Sequence, residues 1–259
     1  MLRTILGATS FTYPKSPYAV RDAIQTVIDT KKNGLVLDFF AGSGTTYQAV
    51  AMLNSADNGK RRSILVTNNE VDEARAIALN KKGLFQGDDE FEKFGVAEAI
   101  GWPRCKYITN GVRDDNAPLD GDDLDGHKLA NGFNENIEYF RLDFLDPDEV
   151  ARGDAFKAIV PILWMVAGCR GDREDSKGSA PWFIPKHSPF AVLIQEKQFR
   201  TFREKLAERK DIEWVFLITD SEENFGQMRR KLGRKYECVQ LYKSYLENFR
   251  INTQDALNG

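Results

Sequence analysis

The stretch Leu35-Val36-Leu37-Asp38-Phe39-Phe40-Ala41-Gly42-Ser43-Gly44-Thr45-Thr46 changes character three times within twelve residues, which limits what the surrounding chain can become. Leu35 to Phe40 is an apolar run broken only by Asp38, the pattern of a strand buried on both faces of a parallel sheet. Gly42 and Gly44 then let the backbone turn sharply and come close to a ligand, and from Thr45 onward apolar residues recur at helical spacing. A strand that ends in glycines at the start of a helix makes a nucleotide pocket, because free amides and the positive end of the helix dipole face the crevice. The implied fold class is α/β.

What the loop lacks narrows the kind of nucleotide. A phosphate-binding P-loop needs Gly-Lys-Ser/Thr after its spacer, and no lysine follows Gly44; the dinucleotide pattern G-x-G-x-x-G fails at Tyr47. The nine residues Asp38 to Thr46 instead resemble, without a gap, the S-adenosyl-L-methionine loop of the DNA amino-methyltransferases, which carry D-x-F-x-G-S-G-T-T here and methylate the exocyclic amine of adenine or cytosine. That resemblance implies a Rossmann-like methyltransferase sheet with the pocket at the carboxyl ends of the strands at Leu35 and Ser63. It also implies that Asp38 and the backbone of Ala41, Gly42, Ser43, Gly44 and Thr45 hold the methionine end, while Phe40 or Phe144 packs on the adenine.

Upstream, Phe11-Thr12-Tyr13-Pro14-Lys15-Ser16-Pro17 resembles the segment before the glycine loop in the same enzymes, which would put Phe11 and Lys15 beside the methionine end. Tyr18 to Thr30 reads as an amphipathic helix. Arg62 to Asn69 reads as a second buried strand ending at Glu70, a carboxylate whose two oxygens can take both ribose hydroxyls. Ile137 to Leu145 reads as a third strand with Asp143 near its end; by the resemblance Asp143 would receive the adenine amino group, and a turn-forming acid is its plain alternative. From about 83 to 136 the pattern breaks down, and low hydrophobicity over 113–136 favours mobility. Within it, Gly101-Trp102-Pro103-Arg104 and Asn110-Gly111 resemble elements that follow the ribose strand in the methylase (Mod) subunits of type III restriction systems.

An apolar helix is expected over Phe156 to Ala167, with Pro161 inside it. Strands Phe190 to Gln195, Trp214 to Thr219 and Cys238 to Tyr242 then alternate with helices Gln198 to Arg209 and Glu222 to Leu232. We therefore expect a methyltransferase core at 1–168, with the excursion at 83–136, and a carboxyl-terminal α/β extension at 185–259 that is open to continuing the same sheet.

The aromatic base platform of this family, Asp/Asn/Ser-Pro-Pro-Tyr/Phe/Trp, is absent from the 259 residues; Ser179-Ala180-Pro181-Trp182 comes nearest. The reading therefore assigns no catalytic residue. In β-class motif order, where the catalytic motif precedes the cofactor loop, the chain is expected to be the carboxyl-terminal portion of a longer adenine-specific enzyme of the type III restriction-modification Mod kind, whether a truncated form or one product of a split gene. Its partners would be DNA, contacted through the full-length enzyme, and a restriction subunit or the upstream half of the methylase. The alternative is a non-catalytic, methyltransferase-like interaction module of a restriction complex. A net charge of −3 gives no global pull toward nucleic acid. Three scattered cysteines and two distant histidines offer no metal framework and fit a reduced cytoplasm, and no run approaches the roughly 18 apolar residues of a membrane span.

Overall fold

The computed structural model describes residues 1–7, 11, 13–142, 156–176 and 180–241. The chain divides into two compact units, Met1–Tyr139 and Phe140–Gly259. Both are α/β.

In the first unit, α1 (Leu2–Leu6) is followed by α2 (Pro17–Ile28), which starts where a proline at its first position and the Ser16 hydroxyl, accepting from the Ala19 amide, satisfy the helix entry. Strand β1 (Leu35–Asp38) and strand β2 (Arg62–Leu65) pair in parallel, with Leu35 opposite Arg62 and Asp38 opposite Leu65. Helix α3 (Thr45–Asp57) connects them and is the centre of the unit: Tyr47 to Asn54 are buried without interruption. A helix apolar on nearly every side belongs inside, and Tyr47, Ala51 and Met52 share a core with Ile5, Cys105, Ile108, Leu119, Leu129 and Phe133. At its end Asn58 turns in the left-handed region, and the buried Asn54 amide donates to the Arg61 carbonyl (2.9 Å) and the Glu135 carboxylate (2.8 Å) while accepting from the Arg61 amide (2.9 Å). Then come α4 (Glu73–Asn80), α5 (Asp89–Glu92), a π-helical turn at Ala97–Gly101 and α6 (Trp102–Asn110).

Three expectations change in this unit. Burial of β1 on both faces does not hold: Leu65 packs on the α3 core, but Leu35, Leu37 and Ile64, which alternate onto the opposite face, are about half exposed, Leu35 at 53%. Among the described residues β1 pairs with β2 alone, and the face of the ladder that carries Leu35, Leu37 and Ile64 is left about half exposed. The segment 83–136 is packed, because Phe91, Leu119, Leu129 and Phe133 are buried and two short antiparallel bridges, Val112 to Pro118 and Asp122 to Lys128, fold it back on itself. No strand forms over 137–142; Ile137 packs on the α3 core and Tyr139 stacks on Trp102 at 5.3 Å, contacts that need no ladder.

The second unit has α7 (Phe156–Val166), β3 (Trp182–Phe183), β4 (Phe190–Leu193), α8 (Phe199–Ala207), β5 (Trp214–Ile218), α9 (Glu222–Leu232) and β6 (Glu237–Leu241). Its four strands form a sheet of their own, in the order β3-β4-β5-β6, antiparallel only at β3. The strands expected to be able to extend the first sheet thus pair with one another instead, and α7, expected within the first domain, packs here. Alternation sorts the sides: Ala191, Leu193, Val215 and Leu217 meet Phe202, Leu206, Met228 and Leu232 of α8 and α9, whereas Phe190, Val192 and Phe216 meet Phe156, Val160, Leu163 and Trp164 of α7.

Burial holds the Glu135 carboxyl above the usual carboxylate range, opposed by the hydrogen bond from Asn54. A raised folded-state value means that this group favours folding at acid pH and that its contribution is lost as pH rises through that value. Glu135→Gln keeps an oxygen for Asn54 and removes the titration. The variant is therefore expected to gain thermal stability relative to wild type between about pH 4 and about pH 7, as followed by melting curves at both ends of that window.

Candidate functional site

The loop between β1 and α3 is shaped from its first residue. One oxygen of Asp38, at the strand's end, accepts from the Phe40 amide (3.1 Å) and the other from the Thr46 hydroxyl (2.5 Å), so a single carboxylate ties the strand exit to the first turn of the helix. The Ala41 amide donates to the Val66 carbonyl beyond β2 (3.2 Å), and Gly44 caps α3 from the left-handed region, φ +73°, with no side chain capping the turn. A side chain at Gly44 would place its Cβ 2.7 Å from the Cys105 sulfur, while at Gly42, φ +50°, the nearest atom would be the Phe40 carbonyl oxygen at 4.0 Å. The loop therefore has a packed side, against α6, and an open side where a ligand can reach the backbone.

On the packed side the approach is close in both directions. A Cβ at Gly101 would lie 2.8 Å from the Gly42 carbonyl oxygen. Arg104, 1% exposed, donates from Nη1 to the Ser43 carbonyl (3.1 Å), the Ser43 hydroxyl (3.0 Å) and the Thr45 hydroxyl (2.7 Å), and from Nε and Nη2 to the Gln48 side-chain oxygen (3.1 and 2.8 Å). Burial draws its guanidinium down to about 10 and pushes the neighbouring Cys105 thiol up to about 12.

One strand over, the chain leaving β2 reaches Glu70, whose carboxylate is exposed and which lines a cleft of about 280 Å³ with Asn68, Asn69, Val71, Phe91 and Glu92. Asn69 fixes this corner: its amide donates to the Glu92 carbonyl (2.7 Å) and carboxylate (2.8 Å), and its oxygen accepts from the Ala97 and Glu98 amides (both 3.1 Å). Parallel pairing thus makes the glycine loop and the segment that leads to Glu70 leave from neighbouring carboxyl ends of the same ladder, the place where open α/β sheets bind ligands.

A family model described as DNA methylase matches residues 6–115, the stretch that holds the loop, Glu70 and Arg104. The chain is 44% identical over 87 residues to the type III restriction-modification enzyme EcoPI Mod subunit of Escherichia phage P1 and 40% identical over 89 residues to the StyLTI Mod subunit of Salmonella typhimurium. It is 45% identical over 65 residues to the type II methyltransferase M.KpnI of Klebsiella pneumoniae. These matches take in 33%, 34% and 25% of this chain but span only 13%, 13% and 15% of the three relatives.

Within the matched segment, the structure brings Asp38, Ala41, Gly42, Ser43, Gly44 and Thr45 into one loop, whereas β2 ends at Leu65, short of the expected Asn69, and Glu70 follows on irregular chain beyond it. Phe40 projects from the loop with 91% of its surface exposed. Phe11 is half-buried ahead of α2, and Lys15 lines a separate apolar cleft of about 650 Å³ between α2 and the start of β1, whose lining does not include the glycine loop. Asp143, Phe144 and Ser179 lie outside the described residues. Sequence reading passed over Gln48, Asn69 and Cys105, and took Arg104 only as part of a family likeness. The one local sign of Arg104's burial is its place beside Cys105 and four residues before Ile108, in the apolar stripe of α6.

Alanine at Gly44 would combine a left-handed residue with a collision at Cys105. Gly44→Ala is expected to cost about 1–3 kcal/mol in urea unfolding. The cost should shrink when the same change is made on Cys105→Ala, the coupling read from a double-mutant cycle.

Proposed function

We propose that this chain is the S-adenosyl-L-methionine-binding portion of a site-specific DNA methyltransferase that acts on the exocyclic N6 amine of adenine in a restriction-modification system. The observation that carries this reading is the combination, within the segment that matches the DNA methylase model, of a glycine loop open on one side with an acid on the chain that leaves the next strand. The donor set suits the cofactor. First-turn amides of α3 without a side-chain cap, and a backbone bare at Gly42, can take the methionine end, and the two oxygens of Glu70 match the two ribose hydroxyls. When bound, S-adenosyl-L-methionine supplies a methyl group on a sulfonium centre.

Each residue has a distinct task in this reading. Asp38 spends both oxygens on the loop and so shapes it, while the backbone of Ala41, Gly42, Ser43, Gly44 and Thr45 meets the ligand. The exposed ring of Phe40, or Phe144, packs on the adenine, Asp143 takes the adenine amino group, and Phe11 with Lys15 approaches the methionine end. The base to be methylated has no platform here, since no Pro-Pro pair of any kind occurs in the 259 residues. Transfer therefore requires the full-length enzyme, which contacts DNA in the cytoplasm, or a partner such as the upstream half of the methylase. Two relatives are Mod subunits of type III restriction-modification enzymes, which supports a restriction subunit as a further partner.

Two measurements test the proposal. In calorimetric titration the purified chain is expected to bind S-adenosyl-L-methionine, and Glu70→Ala to weaken binding about 10- to 100-fold, the loss of charge-assisted hydrogen bonds. Well-folded protein that does not bind would refute the reading. With labelled cofactor and adenine-containing duplex, the chain alone is expected to transfer no methyl groups, because the positioning that lowers such a barrier by several kcal/mol is missing; robust transfer would mean that the catalytic residues lie within these 259 positions.

A further inference from the structure

Arg104 is a buried cation whose acceptors among the described residues are all neutral: a carbonyl, two hydroxyls and one side-chain amide oxygen. Burying such a charge without a carboxylate is costly, and an apolar side chain of similar volume would pack the same space more cheaply. Its benefit must lie in what the fork fixes. A planar guanidinium holds several acceptors at set angles, and here they come from three places: the loop at Ser43, the first turn of α3 at Thr45 and the next turn at Gln48. Between and beside them stand Gly42 and Gly44, both at positive φ, the residues with the most backbone freedom to lose.

We infer that Arg104 is a positioning residue for the cofactor: from α6 it locks Ser43, Gly44 and Thr45 in the conformation that receives the methionine end, so that affinity for that end depends on a side chain lying behind the pocket. Freezing a mobile loop before the ligand arrives lowers the ordering cost of binding. The inference rests on the cofactor reading above and adds to it the residue that prepares the loop.

The test separates the two ends of the ligand. Wild type, Arg104→Met and Arg104→Lys are titrated calorimetrically with S-adenosyl-L-homocysteine, which carries the amino-acid end, and with 5′-methylthioadenosine, which lacks it. Arg104→Met is expected to weaken S-adenosyl-L-homocysteine about 10- to 30-fold while leaving 5′-methylthioadenosine within about 2-fold of wild type, a selectivity that general loosening of the fold would not produce. Arg104→Lys keeps the charge but not the fork, and is expected to show the same selective loss, so it decides the matter if the methionine variant does not fold. Equal losses for both ligands, or none for either, with wild type binding normally, would overturn this inference alone. If wild type binds neither ligand, the cofactor reading falls and takes this inference with it.

Discussion

How near α6 can come to the glycine loop governs the whole ligand-facing end of the first unit. At Gly101 and Gly44 the two segments meet where no side chain stands between them, at separations that a single methyl group would close to 2.8 and 2.7 Å. Only at that distance does Arg104 reach past the loop backbone to Thr45 and Gln48. The approach also explains the burial of Cys105, whose sulfur occupies the space that a Gly44 side chain would need. Close packing of this kind transmits small changes, because an interior at crystal-like density cannot absorb an extra methyl without moving its neighbours.

The two units solve the burial problem differently. In the second, a parallel core of β4 and β5 is covered on both faces, and the strands read as continuous apolar runs. In the first, the helix takes that role: α3 is enclosed on nearly all sides, and the β1–β2 ladder serves as one wall of its surroundings. The ladder's contribution to the site is geometric, since parallel register is what aligns the exit at Asp38 with the exit toward Glu70.

This difference also decides which parts of the structure were legible in the sequence. The glycine loop was legible because its determinants are local, with Asp38 bonding to residues two and eight positions on and glycines standing at the positive φ angles. Helix α9 was legible to the residue, since Ser221 caps its start, acids and bases sit in its first and last turns, and Gly233 ends it at φ +80°. The segment 83–136 was not. Its acids suggest solvation, yet Asp88 and Asp123 accept from backbone amides at Phe85, Asp125 and His127 and so build turns, and its buried aromatics follow no period because their partners are distant in sequence. Arg104 was illegible as a buried group for the same reason: a charge reads as surface until the acceptors that surround it, 56 to 61 positions away, are known.

The cluster formed by Ser43, Thr45, Gln48 and Arg104 has an evolutionary consequence. Nε and Nη2 of Arg104 share the Gln48 oxygen as their one acceptor, so a change at Gln48 leaves buried donors without a mate and a change at Arg104 leaves buried acceptors so, at a cost of about 1–3 kcal/mol, while the Ser43 and Thr45 hydroxyls share Nη1. Such positions are epistatic: the effect of one substitution is set by what stands at the other three, and single steps away from the present combination lead downhill in fitness even when a distant combination would serve equally well. The loop's surroundings should therefore drift in concert, as a block, while the exposed residues around them vary one at a time.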